Sequence, residues 1–255
     1  MTESDISRYP SPPKKFNLRS LPIERVEAGR YFYRLNSRLN SEGTPHKSAM
    51  FFDRSGYGRW DGNNQGYGIL YVGTDFHAAY IESYGRKPEQ RNILGGRLLI
   101  TETELDRRFL AKFTSKRLLK FVQVYGNGLQ KLGIDAQITS CSPEEYEFPR
   151  AWGRAFHQHL ENIDGICYLS RHDNTRLCYG IFDRVTSEIN EEQLCNGQFQ
   201  QLRSENTIDD SDRSLIRSSN SEHPEVSLAE VLRHYGHQLT SDSPVRGIDP
   251  DDVVN

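Results

Sequence analysis

The chain is short of the residues on which several protein classes depend. Its 255 residues include only four cysteines, Cys141, Cys167, Cys178 and Cys195, far apart and without a CxxC pair. A disulfide scaffold would be smaller and denser, and a zinc site would pair its ligands, so reduced thiols and a cytoplasmic location are expected. His157 and His159 form an HxH pair, but no second ligand cluster completes a metal site. No stretch approaches the ~20 apolar residues of a membrane span. The opening MTESDISRYPSPPKKF has no apolar signal core, so neither a membrane protein nor secretion through a cleaved leader is expected. A basic excess is missing too. Against 32 Lys and Arg stand 35 Asp and Glu, a net charge of −3 with no basic cluster, which argues against direct nucleic-acid binding. There is no P-loop, no GxGxxG, no HExxH and no GxSxG.

Apolar residues are also scarce. With the 13 Tyr left out and the 20 Gly counted in, they come to roughly 38%, against ~45–50% for an ordinary domain. That points to a modest core carrying polar extensions. At ~150 residues per domain the length allows one domain with extensions or two small ones.

Pro10, Pro12 and Pro13, with Lys14, Lys15 and Arg19, mark residues 1–21 as a solvated, flexible arm. Tyr31–Leu35 is short and aromatic and reads as a strand. Residues 43–68 are rich in Gly, Ser, Asn and Asp, hence mostly loop. Ile69–Val72 is an apolar run between Gly68 and Gly73, a buried-strand pattern. Thr74 is placed to cap a helix that runs to Tyr84 and stops at Gly85. Arg97–Thr101 reads as a strand, Glu102–Phe113 as a charged helix, and Leu118–Tyr125 as a strand halted at Gly126. Pro149 opens a helix whose buried stripe is Trp152, Phe156 and Leu160. Two strands follow, Gly165–Leu169 and Leu177–Phe182. Without regular βα alternation, this pattern implies an α+β fold. After about Glu191 the composition turns polar, and residues 191–225 read as a flexible linker. Ser227 and Glu230 have capping-box spacing, and Leu228, Val231, Leu232, Tyr235 and Leu239 form one face of a helix over 226–240. That face is expected to dock on its own domain, with a homo-oligomer or other partner contact as the alternative. Residues 241–255 are expected to be a disordered tail.

The polar residues beside the buried strands are the candidates for chemistry. Arg34 ends the first aromatic strand, Arg59 sits in a small-residue loop, Tyr71 interrupts an aliphatic strand, Glu82 follows on the next helix and Ser170 ends a strand. A strand, a tight turn and two helical turns bring Tyr71 and Glu82 to neighbouring positions. The same residues admit a plainer account. Arg34 and Glu82 would be a structural ion pair, Tyr71 a core residue with a satisfied hydroxyl, and Ser170 a turn residue.

Taken in order, five segments resemble the RES-domain family. They are Phe32-Tyr33-Arg34, Gly58-Arg59-Trp60, Leu70-Tyr71-Val72 with Ala78–Glu82, Asp164–Arg171, and Ile181–Arg184, and they span about 150 residues. The resemblance implies mixed central sheets with flanking helices, like those of diphtheria-toxin-type ADP-ribosyltransferases. It divides the chain into the arm 1–21, a RES-like catalytic domain 22–190, the linker 191–225, the helix 226–240 and the tail 241–255. It further implies an NAD-consuming enzyme that cleaves the nicotinamide–ribose bond by hydrolysis or phosphorolysis, as the toxin of a toxin–antitoxin pair. NAD would be a substrate rather than a cofactor, no metal would be needed, and a cognate antitoxin protein would be the partner. Glu82, Arg34 and Arg59 would be catalytic, with Arg34, Arg59, Tyr71 and Ser170 binding substrate. In this account Glu82 is a buried carboxylate facing an oxocarbenium-like state, and Tyr71 offers a flat face to the nicotinamide or ribose. Transfer of ADP-ribose to a protein, and a catalytically silent binding module, are the rival readings. The chain departs from the family in three ways. Residues 52–57 lack a glycine pair before Arg59, 87 residues separate Glu82 from Ser170, and a polar tail follows Glu191.

Overall fold

The computed structural model describes residues 9–37, 43–44, 48–62, 66–85, 93–94, 97–193 and 228–240. Its strands are β1 (Ile23–Val26), β2 (Tyr31–Ser37), β3 (Ile69–Gly73), β4 (Ile93–Leu94), β5 (Arg97–Thr101), β6 (Arg108–Ser115), β7 (Leu119–Val124), β8 (Gly165–Leu169), β9 (Leu177–Phe182), β10 (Ile189–Gln193) and β11 (Gln238–Thr240). Its helices are α1 (Phe76–Tyr84), α2 (Glu102–Asp106), α3 (Asn127–Leu132), α4 (Gln137–Ser140), α5 (Glu147–His157) and α6 (Leu228–His234). The mixed α+β class expected from the sequence is the class observed. Two compact units make up the chain.

The larger unit is built on an eight-stranded sheet in the order β1-β7-β8-β9-β3-β2-β6-β10. β7 and β8 run parallel, which requires a long crossover, and α3, α4 and α5 supply it. β8, β9 and β3 are the buried centre, where near-continuous apolar runs are satisfied on both faces. One face carries Val122, Ile166, Tyr168, Cys178 and Phe182 against Trp152 and Phe156 of α5. On the other, Phe32, Phe121 and Tyr179 pack with ring centroids 4.6–6.3 Å apart. Tyr179 there donates its hydroxyl to Glu24 at 3.0 Å.

Several expectations need correction. Residues 9–21 are packed rather than free. Phe16 is buried with its ring 5.2 Å from Trp152, the indole N–H of Trp152 donates to the Pro10 carbonyl at 2.8 Å, and Tyr9 stacks on Phe148 at 4.6 Å. The prolines hold an extended segment whose aromatics reach α5, and composition alone cannot report that docking. The helix expected over Glu102–Phe113 ends at Asp106. Phe109, Ala111, Phe113 and Ser115 are buried at a spacing of two, and β6 pairs with β10. Leu160 lies beyond α5 and is 70% exposed, because the helix stops at His157.

In the smaller unit β11 pairs parallel with β5, and β4 pairs antiparallel with it. The helix expected over 226–240 is two elements. Gly236 takes φ +63°, its N–H bonds the Arg233 carbonyl at 3.1 Å, and the His237 N–H bonds that of Leu232 at 2.8 Å. This paired closure ends α6. Leu239 therefore lies in β11 opposite Ile100. Of the face expected to dock, Leu228, Val231 and Leu232 are buried within the chain and Tyr235 is half-buried. The arm residues 1–8, most of the expected linker and the expected tail 241–255 lie outside the described residues. Among the described residues no helix is long and apolar enough to cross a membrane.

Phe16→Ala should lower unfolding stability by about 3 kcal/mol, as for other buried aromatic truncations. Urea denaturation measures this, and an unchanged midpoint would restore the free-arm reading. His157 stacks on Tyr67 at 4.3 Å, and burial, then Arg184, lowers its pKa from 6.5 to about 4. The fold therefore favours the neutral ring, so its contribution is complete above pH 6.5 and is lost as pH falls through 4. The loss should be about 1–3 kcal/mol for this half-buried group. Urea titrations at pH 7 and 4.5 should show that slope in the wild type, and a smaller one in His157→Phe.

Candidate active site

The site is assembled at the end of β3. Gly73 opposes Cys178 across the ladder, and a Cβ at Gly73 would stand 2.5 Å from the Ala78 Cβ. Only glycine lets α1 follow this closely. Asp75, rather than Thr74, caps α1 by accepting the Ala78 N–H at 2.7 Å.

Tyr71 opposes Gly180, on the same sheet face as Tyr168 and Cys178. Its hydroxyl donates to Asp61 Oδ1 at 2.7 Å and accepts the Trp60 N–H at 3.0 Å. Asp61, fully buried, also accepts the Gly58 N–H through Oδ2 at 2.8 Å. A Cβ at Gly58 would lie 2.4 Å from Asp61 Oδ1 and 2.6 Å from the Tyr71 hydroxyl, so this turn too requires glycine. Burial, reinforced by Asp61, holds the Tyr71 hydroxyl well above pH 10, so it remains a donor. Arg150 Nε donates to the Gly58 carbonyl at 2.9 Å, and the Tyr67 hydroxyl donates to the Trp60 carbonyl at 2.6 Å. The backbone is thus fixed on both sides of Arg59. The Arg59 side chain is 7% exposed, its Cζ lies 5.5 Å from the Tyr146 ring centroid, and its Nε has no hydrogen-bond partner.

Glu82 is exposed on α1, contrary to the buried carboxylate expected. The buried positions of α1 are Phe76, Ala78, Ala79, Tyr80, Ile81 and Tyr84, which turn residue 82 outward. Glu82 forms no ion pair with Arg34 or with any other described residue. Its charge still reaches the buried sheet face. After burial itself, Glu82 is the largest influence raising the pKa of Tyr168 and of Cys178, while Arg59 lowers both. Glu82 and Arg59 therefore act on the same two side chains. Arg34 is engaged differently. Its Nη1 donates to the carbonyls of Phe51 at 2.8 Å and Ala49 at 3.4 Å, while Glu191 accepts the Ala49 N–H at 2.6 Å. Burial lowers the Arg34 pKa, with Asp53, Tyr71 and Glu191 opposing.

Ser170 is buried, and its Oγ accepts the His172 N–H at 3.2 Å. The loop it anchors grips both ends of α1. Arg176 Nη1 reaches Asp75 at 3.1 Å, and a Cβ on Gly85 would stand 2.5 Å from the His172 ring. Ser170 thus closes the loop that packs against α1, the helix that carries Glu82. Sequence reasoning missed Asp61, Tyr146 and Arg150. The signal for Asp61 was its place directly after Gly58-Arg59-Trp60. Nothing local distinguishes the other two. Among the described residues no group of three or more His, Cys, Asp or Glu could hold a metal ion.

The RES domain family model matches residues 24–199, and the chain belongs to the RES-domain family. Among solved structures, the chain is similar to the M. tuberculosis MbcT–MbcA toxin–antitoxin complex. The two share 12% identity over 71% of this chain and 92% of that one, with a TM-score of 0.46. No curated protein matches the sequence.

Tyr71→Phe should leave the Trp60 N–H and Asp61 Oδ1 without partners, at a cost of about 1–3 kcal/mol. Amide exchange at Trp60 should accelerate at least tenfold by the same reasoning. Protection equal to wild type would show that the hydroxyl does not hold the loop.

Proposed function

We propose that the chain consumes NAD by cleaving its nicotinamide–ribose bond, by hydrolysis or phosphorolysis, as the toxin of a toxin–antitoxin pair with a cognate antitoxin protein. The observation that carries this reading is a pair of charged side chains in a RES domain: Glu82, exposed on α1 and without an ion-pair partner among the described residues, and Arg59, buried with an Nε that has no hydrogen-bond partner.

The two charges suit the two ends of the reaction. A guanidinium binds phosphate oxygens through charge-assisted hydrogen bonds, and Arg59 has the free donor for the NAD diphosphate. Arg34 spends Nη1 on backbone carbonyls and holds the 49–51 segment. Nicotinamide leaves with the bonding pair, which neutralises its cationic ring nitrogen, and positive charge develops on the ribose carbon and ring oxygen. The Glu82 carboxylate stabilises that charge and orients the incoming acceptor. Water gives ADP-ribose and a proton, whereas phosphate gives ADP-ribose 1″-phosphate. Tyr71 serves through the Gly58–Asp61 turn, and Ser170 through the loop that grips α1.

Glu82→Gln should reduce nicotinamide release ~10²–10³-fold. Because Glu82 has no ion-pair partner among the described residues, stability should stay within about 0.5 kcal/mol of wild type. Chromatography of the products with and without phosphate, and with an acceptor protein, separates hydrolysis, phosphorolysis and ADP-ribosyl transfer. Near-normal turnover in Glu82→Gln would remove Glu82 from the chemistry.

A further inference from the structure

Tyr146, at the entrance to α5, gathers cations. Arg59 Cζ lies 5.5 Å from its ring centroid, Arg150 Cζ lies 5.6 Å from it, and Arg171 Nη1 reaches its hydroxyl at 3.4 Å. Arg59 comes from the Gly58 turn, Arg150 from α5, and Arg171 from the loop that Ser170 anchors. None of the three forms an ion pair with a described residue. Glu145, beside Tyr146 in sequence, is occupied by the Tyr9 hydroxyl at 2.5 Å and by the Ser142 N–H at 3.1 Å. The thiol of Cys141 reports the same convergence. Burial raises its pKa and Glu145 adds to that, while Arg59 and Arg171 both lower it.

Three cations around one ring repel one another, and the Tyr146 ring and the single neighbouring carboxylate of Glu145 offset only part of that repulsion. Arg59 adds a second cost, a buried Nε with no acceptor. An anion bearing several oxygens relieves both. We propose that Arg59, Arg150 and Arg171 around Tyr146 form a binding site for a phosphoryl group. The proposal rests on the NAD reading only through Arg59, and it adds Arg150 and Arg171 as binding residues. The phosphoryl group has two sources, free inorganic phosphate or the diphosphate of a nucleotide. Both present the oxygens that guanidinium groups bind in a forked manner.

The test is calorimetric titration of the full chain, without NAD, using inorganic phosphate in one arm and ADP in the other, at constant ionic strength. Arg171→Gln is the first variant, since among the described residues the Arg171 side chain bonds only the Tyr146 hydroxyl and, through Nε at 3.3 Å, His172 Nε2; thermal melting checks its fold as well. Arg150→Gln is the second, with thermal melting to check its fold, because Arg150 also holds the Gly58 carbonyl. At least one probe should bind the wild type, and each variant should weaken it about tenfold or more, as expected for loss of a charge-assisted pair. Arg171→Lys should recover part of the loss. Phosphate binding that ADP does not displace identifies free phosphate as the ligand, and competition between the two identifies the diphosphate. If neither probe binds, or if Arg171→Gln binds as well as wild type, the site is overturned. Failure of the NAD reading would instead show as absent nicotinamide release from wild-type protein, whatever the titrations give.

Discussion

The buried carboxylate of Asp61 is the constraint on which the site depends. A charge removed from water is tolerated only when its oxygens are met by donors. Here the Tyr71 hydroxyl and the Gly58 N–H meet them. These two bonds tie a loop to the central strand β3. They leave room for no side chain at residue 58 and fix the direction in which Arg59 departs. Tyr67, stacked on His157, closes the same knot from behind through the Trp60 carbonyl. Arg59 is thus held from both sides by Gly58, Trp60 and Asp61, whose own partners fix the loop.

A second dependence runs through α1. Its N-terminus is capped by Asp75 and tied to Arg176, and its C-terminus is pressed by His172. Both ties come from the loop after β8, and Ser170 closes that loop by accepting from His172. Ser170 and Glu82 are connected here by backbone geometry and packing, with no direct bond between their side chains. The surface ion pair contributes little energy by itself, about 0.2–1 kcal/mol, so its effect is on position.

Two departures from the compact family pattern have one structural explanation. The long spacing between Glu82 and Ser170 includes β4, β5 and α2, and the tail beyond Glu191 includes α6 and β11. These elements pair with one another, β11 on β5, as the smaller unit. An insertion and a tail that look like separate additions along the chain are partners in space.

The sequence by itself determined the elements with strong local patterns. The apolar runs of β3, β8 and β9, the glycine stop of α1 and the mixed α+β class all follow from side-chain period and turn chemistry. The ordered series of short segments was enough to indicate the RES-domain family, and it made Arg34, Arg59, Tyr71, Glu82 and Ser170 the candidates. Only the tertiary structure decided what those residues touch. Arg34 spends its Nη1 on carbonyls 15 and 17 positions away, Tyr71 answers a carboxylate 10 positions away, and Arg59 meets Tyr146 far along the chain. β6 displaced a helix because β10 offered a ladder, and residues 9–21 packed down because α5 offered Trp152 and Phe156. Periodicity records which face of an element is apolar. It carries no information about which distant donor or acceptor will complete a polar group, and that completion is what separates a free guanidinium from a bound one.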